Sequence, residues 1–144
     1  MAGMTREEIE SRLAARLGAE FPGVVAAYLF GSEGEGRSHA ESDIDVGILL
    51  DHRHFPTSAS RFDQRLALSS RLASATGTRQ IDLVILNDAP PQLARRIATS
   101  GRRLFCSDAD AEHAFVRDVQ LRAADLEPFL RRMRRIKLES LGQA

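Results

Sequence analysis

The sequence predicts an α/β (α+β) fold in which a small mixed β-sheet is flanked by helices and followed by a long C-terminal helix. Two observations lead to this fold class: stretches with helical periodicity alternate with short apolar stretches, and turn residues separate most of them. A chain of 144 residues with 43% hydrophobic and 28% charged residues can bury one core. We therefore expect a single domain over residues 1–144, with a catalytic core at about 20–106 and a helical segment at about 108–142.

The first predicted helix begins after Thr5, because Thr5 and Glu8 have the spacing of a capping box. Apolar residues then recur every four positions until Gly18, which is predicted to end the helix. A turn follows. Residues 24–30 form an unbroken apolar run with β-branched and aromatic side chains, which indicates a buried strand.

The residue pattern in the middle of the chain, residues 43–86, predicts two strands with one helix between them. Residues 43–50 are predicted to form a strand and residues 51–58 a loop. From Ser60, apolar residues recur with helical spacing until Gly77, which predicts a helix that ends there. Residues 81–86 are predicted to form the third strand.

The last third predicts a helix, a short strand and a long helix. Asp88 precedes two prolines and is predicted to cap a helix that Gly101 ends, with a strand at residues 102–106. The long helix is predicted to begin at a cap provided by Ser107 or Asp108. Pro128 should kink or split it, because proline removes a helical hydrogen bond.

Composition excludes several classes of function. Twenty basic and 20 acidic residues cancel, which argues against a nucleic-acid binder held by net positive charge. Lys137 is the only lysine, and no phosphate-binding loop of the Walker type precedes it. The single Cys106 forms no internal disulfide, so a cytoplasmic location is expected. The N-terminus has no apolar signal segment and no stretch is apolar enough for a membrane span, so no membrane association is expected.

The most informative segment joins Gly31-Ser32 to a later Asp43-x-Asp45. Gly31 permits a sharp turn and a close backbone approach, and a helix that starts after Ser32 would point its N–H groups at phosphate oxygens. The Ser32 hydroxyl would donate to the same oxygens. Ser42, a further candidate nucleotide-binding residue, is expected to cap or orient the turn before Asp43.

Asp43 and Asp45 stand two residues apart at the start of a predicted strand, so their carboxylates should share a face with Cα atoms about 7 Å apart. A hard cation such as Mg²⁺ would relieve their mutual repulsion. Alone, such a pair is also typical of exposed strand edges and of glycosyltransferases. Asp82 supports a functional acidic site, because it is a charged residue within the otherwise apolar run of residues 81–86.

Asp82 is expected to be buried in the sheet, where a carboxylate needs a compensating partner. If its strand lies beside the Asp43 strand, the three carboxylates would form a site for two-metal phosphoryl chemistry. The alternative to a metal-binding role is that Asp82 is a charged residue at the end of a strand, paired with Arg79 or another arginine.

Other candidates carry weaker signals. The pair His52 and His54 is expected to be ordinary surface, and arginines near helix ends offer a weak case for triphosphate contact: Arg95, Arg96, Arg102 and Arg103. The basic cluster at residues 131–137 is interpreted as a solvated helix face, with docking to an acidic partner or to nucleic acid as the alternative.

The pattern Gly31-Ser32-x₁₀-Asp43-x-Asp45 resembles the signature of the DNA polymerase β-like nucleotidyltransferase superfamily, specifically its minimal (MNT) proteins. Residues 80–90 and 101–105 resemble those of MNT-type antitoxins that are paired with HEPN-domain toxins. The resembling stretch covers roughly residues 24–106.

This resemblance implies the nucleotidyltransferase fold and an enzyme that transfers AMP from ATP to a tyrosine hydroxyl of a partner HEPN ribonuclease toxin, with which it forms a hetero-oligomer. It implies that Gly31 and Ser32 hold the triphosphate, that Asp43 and Asp45 bind two Mg²⁺ ions, and that Asp82 binds the catalytic one. Two alternatives stay open: nucleotidyl transfer to a small hydroxylated molecule, and a non-catalytic antitoxin that acts by binding.

Overall fold

A four-stranded sheet organises the molecule in the computed structural model, which describes residues 5–31, 43–77 and 80–142. The strands lie in the order β3-β2-β1-β4 and are β1 (Val24–Phe30), β2 (Ile44–Leu50), β3 (Ile81–Ile85) and β4 (Arg102–Cys106). Strand β1 is antiparallel to both β2 and β4, whereas β2 and β3 are parallel. The predicted mixed sheet is confirmed, and the strands at residues 24–30 and 102–106 have the predicted bounds.

Helices cover both faces of this sheet. In the described ranges they are α1 (Arg6–Glu20), α2 (Ser58–Ala73), α3 (Pro91–Ser100) and α4 (Ala109–Gly142), with short 3₁₀ turns at Ser74–Thr76 and Leu86–Asp88. Helices α1 and α2 pack on one face through leucines and an isoleucine, and α3 and α4 pack on the other. The predicted fold class, including the long C-terminal helix, is therefore confirmed.

Helix α1 does not end at Gly18 as predicted but continues to Glu20. Gly18 lies against β4, where an added Cβ would stand 3.4 Å from a ring carbon of Phe105. A glycine inside a helix costs only about 1 kcal/mol, and packing against the strand offsets it. The predicted N-terminal cap is confirmed, since the Thr5 side chain accepts a hydrogen bond from the backbone N–H of Glu8.

Helix α2 begins at Ser58, inside the predicted loop, because Thr57 caps it. The Thr57 side chain accepts from the Ser60 N–H, and the Ser60 hydroxyl oxygen accepts from the Thr57 N–H. The α-helix gives way to a 3₁₀ turn before Gly77, which adopts a φ of +75°. Gly77 therefore ends the helical stretch as predicted.

Asp88 does not cap α3, which corrects the prediction. It lies in the 3₁₀ turn, and its carboxylate accepts two hydrogen bonds of 2.8 Å from the Arg61 guanidinium. Helix α3 begins at Pro91 without a side-chain cap. Prolines at the start of a helix leave fewer N–H groups unsatisfied, so the helix can begin without one.

Helix α4 starts at an Asp108 cap, whose carboxylate accepts from the Ala111 N–H at 3.1 Å. The helix is not split at Pro128, so that alternative of the prediction is wrong. The chain is exposed there, and water can therefore satisfy the carbonyl that proline leaves free. Within the described ranges, no helix is both long and apolar enough to cross a membrane.

Candidate active site

The C-terminal end of β1 and the N-terminal ends of β2 and β3 lie together at one end of the sheet. Phe30 is the register partner of Asp45, and Asp45 is the register partner of Asp82. Partners in adjacent strands point to the same face of a sheet. Asp45 and Asp82 therefore lie side by side, next to the point where the chain leaves β1 at Gly31. The prediction that the Asp82 strand lies beside the Asp43 strand is confirmed.

Successive side chains of β2 point to opposite faces of the sheet, and this alternation determines the face on which these carboxylates lie. Ile44 and Val46 are fully buried in the core beneath α1 and α2. An added Cβ on Gly47 would meet Ile97 of α3 at 2.7 Å, so odd-numbered positions point to the opposite face. Asp45 is accordingly on the α3 side and half-buried, whereas Asp43, directly before the strand, is exposed.

Asp82 is exposed, and the expectation of a buried carboxylate is wrong. Its strand is at the edge of the sheet, and Asp82 is near the start of that strand, so water reaches the side chain. Desolvation therefore imposes no need for a compensating partner. Arg79, its alternative ion-pair partner, lies outside the described residues.

Gly31 packs directly against the Asp45 carboxylate. It adopts a φ of +66°, in the left-handed region, and an added Cβ would overlap the Asp45 Oδ2 atom. No other residue type fits this contact without moving the carboxylate. The phosphate-binding turn predicted after Gly31, with Ser32 and Ser42, lies outside the described residues.

The carboxylates of Asp43, Asp45 and Asp82 fit a hard divalent cation in donor chemistry, and Asp45 and Asp82 also fit it in placement. All supply oxygen ligands, and two of them are register partners on one face. Among residues 5–31, 43–77 and 80–142, no three Asp, Glu, His or Cys side chains already stand in metal-binding geometry. Two neighbouring carboxylates repel each other, and an Mg²⁺ ion bound by both would offset that repulsion.

Most of the weaker candidates are engaged elsewhere. Arg102 pairs with Glu10 at 2.8 Å, and Arg103 pairs with Glu112 at 2.7 Å. The Arg95 guanidinium donates to the side chain of its helix neighbour Gln92. His54 is an exposed side chain 3.0 Å from Asp51, as expected of ordinary surface.

Sequence reasoning missed a groove of about 660 Å³ that begins at Asp82 and follows the outer edge of β3. Helix α2 forms one wall and the start of α3 the other. Exposed Phe62 and half-buried Val84 and Leu93 contribute apolar surface to it. Helical periodicity placed Phe62 on a helix, but no local signal showed that this helix would stand beside the edge strand.

A family model described as "Polymerase beta, Nucleotidyltransferase" matches residues 14–110. This range contains the four described strands and the carboxylates of Asp43, Asp45 and Asp82. The chain belongs to this nucleotidyltransferase family. The nucleotidyltransferase is 31% identical over 114 residues to the protein adenylyltransferase MntA of Shewanella oneidensis, covering 78% of this chain and 76% of the relative. The resemblance stated from the motif is thereby confirmed.

Solved structures agree with the fold of this nucleotidyltransferase. A crystal structure of a toxin–antitoxin with AMP-PNP matches it with a TM-score of 0.65 and 26% identity, over 92% of this chain and 97% of that one. A tri-AMPylated Shewanella oneidensis HEPN toxin in complex with MNT antitoxin contains a match with a TM-score of 0.62 and 22% identity, over 95% and 98% of the two chains. The second match bears on the fold alone.

Proposed function

We propose that this nucleotidyltransferase is an antitoxin that transfers AMP from ATP to a tyrosine hydroxyl of a partner HEPN ribonuclease toxin and so neutralises it. The observation that carries the proposal is the alignment of Asp45 with Asp82 beside Gly31 in a chain of this family. Similarity to a protein adenylyltransferase supports a protein as the acceptor. We expect the enzyme to act in the cytoplasm.

Asp43, Asp45 and Asp82 would hold the metal, which we expect to be a pair of Mg²⁺ ions. Bound there, the ions would offset the charge of the triphosphate and lower the pKa of the attacking hydroxyl. The contact between Gly31 and the Asp45 carboxylate fixes where that carboxylate stands. Asp45 is half-buried, whereas Asp43 and Asp82 are open to water, and of these two only Asp82 lines the groove along β3, from which an acceptor can reach it.

The residues of the chain have separate tasks in the transfer. Gly31, Ser32 and Ser42 would bind the triphosphate, and the acceptor oxygen would form a bond to its α-phosphorus. The bond from that phosphorus to the oxygen bridging the β-phosphate breaks, and pyrophosphate leaves. An oxygen of Asp82 accepts the hydroxyl proton and passes it to water.

Intact-mass spectrometry of a co-expressed HEPN toxin tests the proposal. The toxin is incubated with this protein, ATP and Mg²⁺, and with a variant carrying Asp43→Asn and Asp45→Asn. We expect mass increments of AMP size that the variant does not produce. A control variant with Asp118→Asn and Asp125→Asn removes two exposed carboxylates from α4 and should keep full activity.

Three outcomes would contradict the proposal. Full transfer by the Asp43→Asn and Asp45→Asn variant would exclude these carboxylates as the site. A stable complex that blocks the ribonuclease without Mg²⁺, ATP or a mass increment would indicate an antitoxin that acts by binding. Nucleotidylation of a small hydroxylated compound, but not of the toxin, would indicate a small-molecule enzyme.

A further inference from the structure

The groove along β3 begins at Asp82, the carboxylate that accepts the proton of the acceptor hydroxyl in the proposed reaction. We propose that this groove binds the acceptor polypeptide: an apolar side chain near the modified residue fits between α2 and the start of α3, and the modified hydroxyl is thereby presented to Asp82. This inference rests on the proposed function and adds to it a surface that selects the acceptor.

Continuity with the candidate active site identifies the occupant. Asp82 lines the groove and is also the register partner of Asp45. A segment lying along β3 therefore ends beside the carboxylates. The volume of about 660 Å³ is ample for one or two side chains.

The walls of the groove favour an apolar anchor. Phe62 of α2 is 53% exposed and supplies an aromatic ring to the lining of the groove. Across the groove, Leu93 and Pro90 contribute apolar surface from the start of α3. Burying one aromatic or branched side chain between these walls would stabilise the complex, because apolar surface is removed from water.

Recognition here uses side chains rather than an added strand. An edge strand normally offers free backbone groups to an extended peptide. In β3, however, the Leu83 carbonyl already accepts a hydrogen bond of 2.9 Å from Arg65 Nε. That arginine stands across the strand edge, so a peptide can fill the groove but cannot extend the sheet at this position.

The groove is formed in advance of binding. Arg61 of α2 donates two hydrogen bonds to Asp88, beside the start of α3, and a third to the Phe55 carbonyl at 2.9 Å. The Arg61 guanidinium lowers the pKa of the Asp88 carboxyl, so this bridge persists below the ordinary pKa of an aspartate. The two walls are thereby held apart at a fixed width, which reduces the entropy that binding has to overcome.

The charged side chains that line the groove favour some acceptor segments over others. Asp63 and Asp82 are both exposed at the groove, whereas the Asp88 carboxylate is neutralised by Arg61. Arg65, which also lines the groove, offsets one of these two negative charges, so the remaining charge of the groove is negative. A basic residue next to the apolar anchor would complement it, and an acidic one would be repelled.

Two residues of α2 provide a matched test. Phe62 lines the groove and is 53% exposed, and Leu66, one turn later, is 54% exposed and does not line it. We expect Phe62→Ser to raise the KM for the HEPN toxin roughly 10-fold while the KM for ATP stays within about 2-fold. Leu66→Ser should change neither value. Equal effects of the two substitutions would overturn the inference.

A groove-filling variant gives a second measurement. Ala59→Trp places an indole in the groove from an exposed helical position, with helicity checked by circular dichroism. Toxin binding, measured by calorimetry without ATP, should weaken at least about 10-fold. Unchanged toxin binding would overturn the inference, and a raised KM for ATP alone would assign the groove to the nucleotide instead.

Failure of the inference and failure of the proposed function give different results. A wild-type protein that transfers AMP, with Phe62→Ser and Ala59→Trp unchanged, would exclude only the groove. A wild-type protein that transfers nothing would exclude the proposed function. The calorimetric comparison of Phe62→Ser with Leu66→Ser would then still decide whether the toxin occupies the groove.

Discussion

Gly31 couples the backbone at the end of β1 to the Asp45 carboxylate, and Gly77 provides a matched control for it. Both glycines have positive φ, +66° and +75°, but an added Cβ at Gly77 meets nothing within 4 Å. We expect alanine to cost roughly 1–3 kcal/mol of stability at either position, because both backbones are in regions that L residues rarely adopt. Gly31→Ala should also displace the Asp45 carboxylate and reduce AMP transfer by more than about 10-fold. Equal transfer rates in the two variants would contradict this role.

Tyr28, the only tyrosine in the chain, is buried and donates a hydrogen bond to Glu112, which also accepts from Arg103. Burial, and next the hydrogen bond to Glu112, raise the pKa of the Tyr28 hydroxyl. The raised pKa stabilises the fold fully below about pH 10, the ordinary value for tyrosine, and this contribution is lost as the pH rises further. Urea unfolding should therefore show a steeper fall in stability above about pH 10 for the wild type than for Tyr28→Phe. Parallel curves would contradict the prediction.

At the residue scale, the sequence predicted that the strands of Asp45 and Asp82 are neighbours but not how each carboxylate is solvated. Asp45 and Asp82 are adjacent because two apolar runs form neighbouring strands, a pattern visible in the chain. Exposure of Asp82 depends on β3 being the edge strand, and strand order is not encoded in local periodicity. The groove beside Asp82 was missed for the same reason, since α2 and α3 approach each other only in the folded molecule.

Asn87 joins the 3₁₀ turn after β3 to the end of β2. Its side-chain amide donates to the Leu50 carbonyl and its side-chain oxygen accepts from the Leu50 N–H, both at 2.9 Å. Asn87→Leu loses both bonds and leaves the N–H and carbonyl of Leu50 without these partners. We expect a loss in the free energy of unfolding of about 2–3 kcal/mol, measured by chemical denaturation. A loss below about 1 kcal/mol would contradict this role of Asn87.

At the element scale, strands were predicted more accurately than helix ends. The run at residues 24–30 is apolar throughout because both faces of β1 are buried, so its limits are sharp. Helix ends depend on tertiary partners: Phe105 packs against Gly18 within α1, and Arg61 draws Asp88 away from a capping role. Neither partner is near in sequence, so capping signals alone could not reveal these contacts.

At the scale of the whole molecule, the described part of α4 beyond Ala123 contributes no buried side chain. A chain that ends after Leu130 should therefore have a melting temperature within about 2 °C of the full chain, because little apolar surface returns to water. A chain that ends after Gln120 loses buried Ala123 and should melt several degrees lower. Equal melting temperatures for all three chains would contradict this division of α4.

The parallel pairing of β2 with β3 also affects when the protein becomes active during its synthesis. The ribosome produces Asp43 and Asp45 first, and Asp82 follows only after the connection through α2 has been made. The second neighbour of β1 is β4, which emerges later still. At about 5–20 residues per second, the last part of the sheet is a few seconds behind the first carboxylates. A nascent chain therefore carries two of the three carboxylates without being able to use them, and the proposed AMP transfer would begin only after β4 has been synthesised.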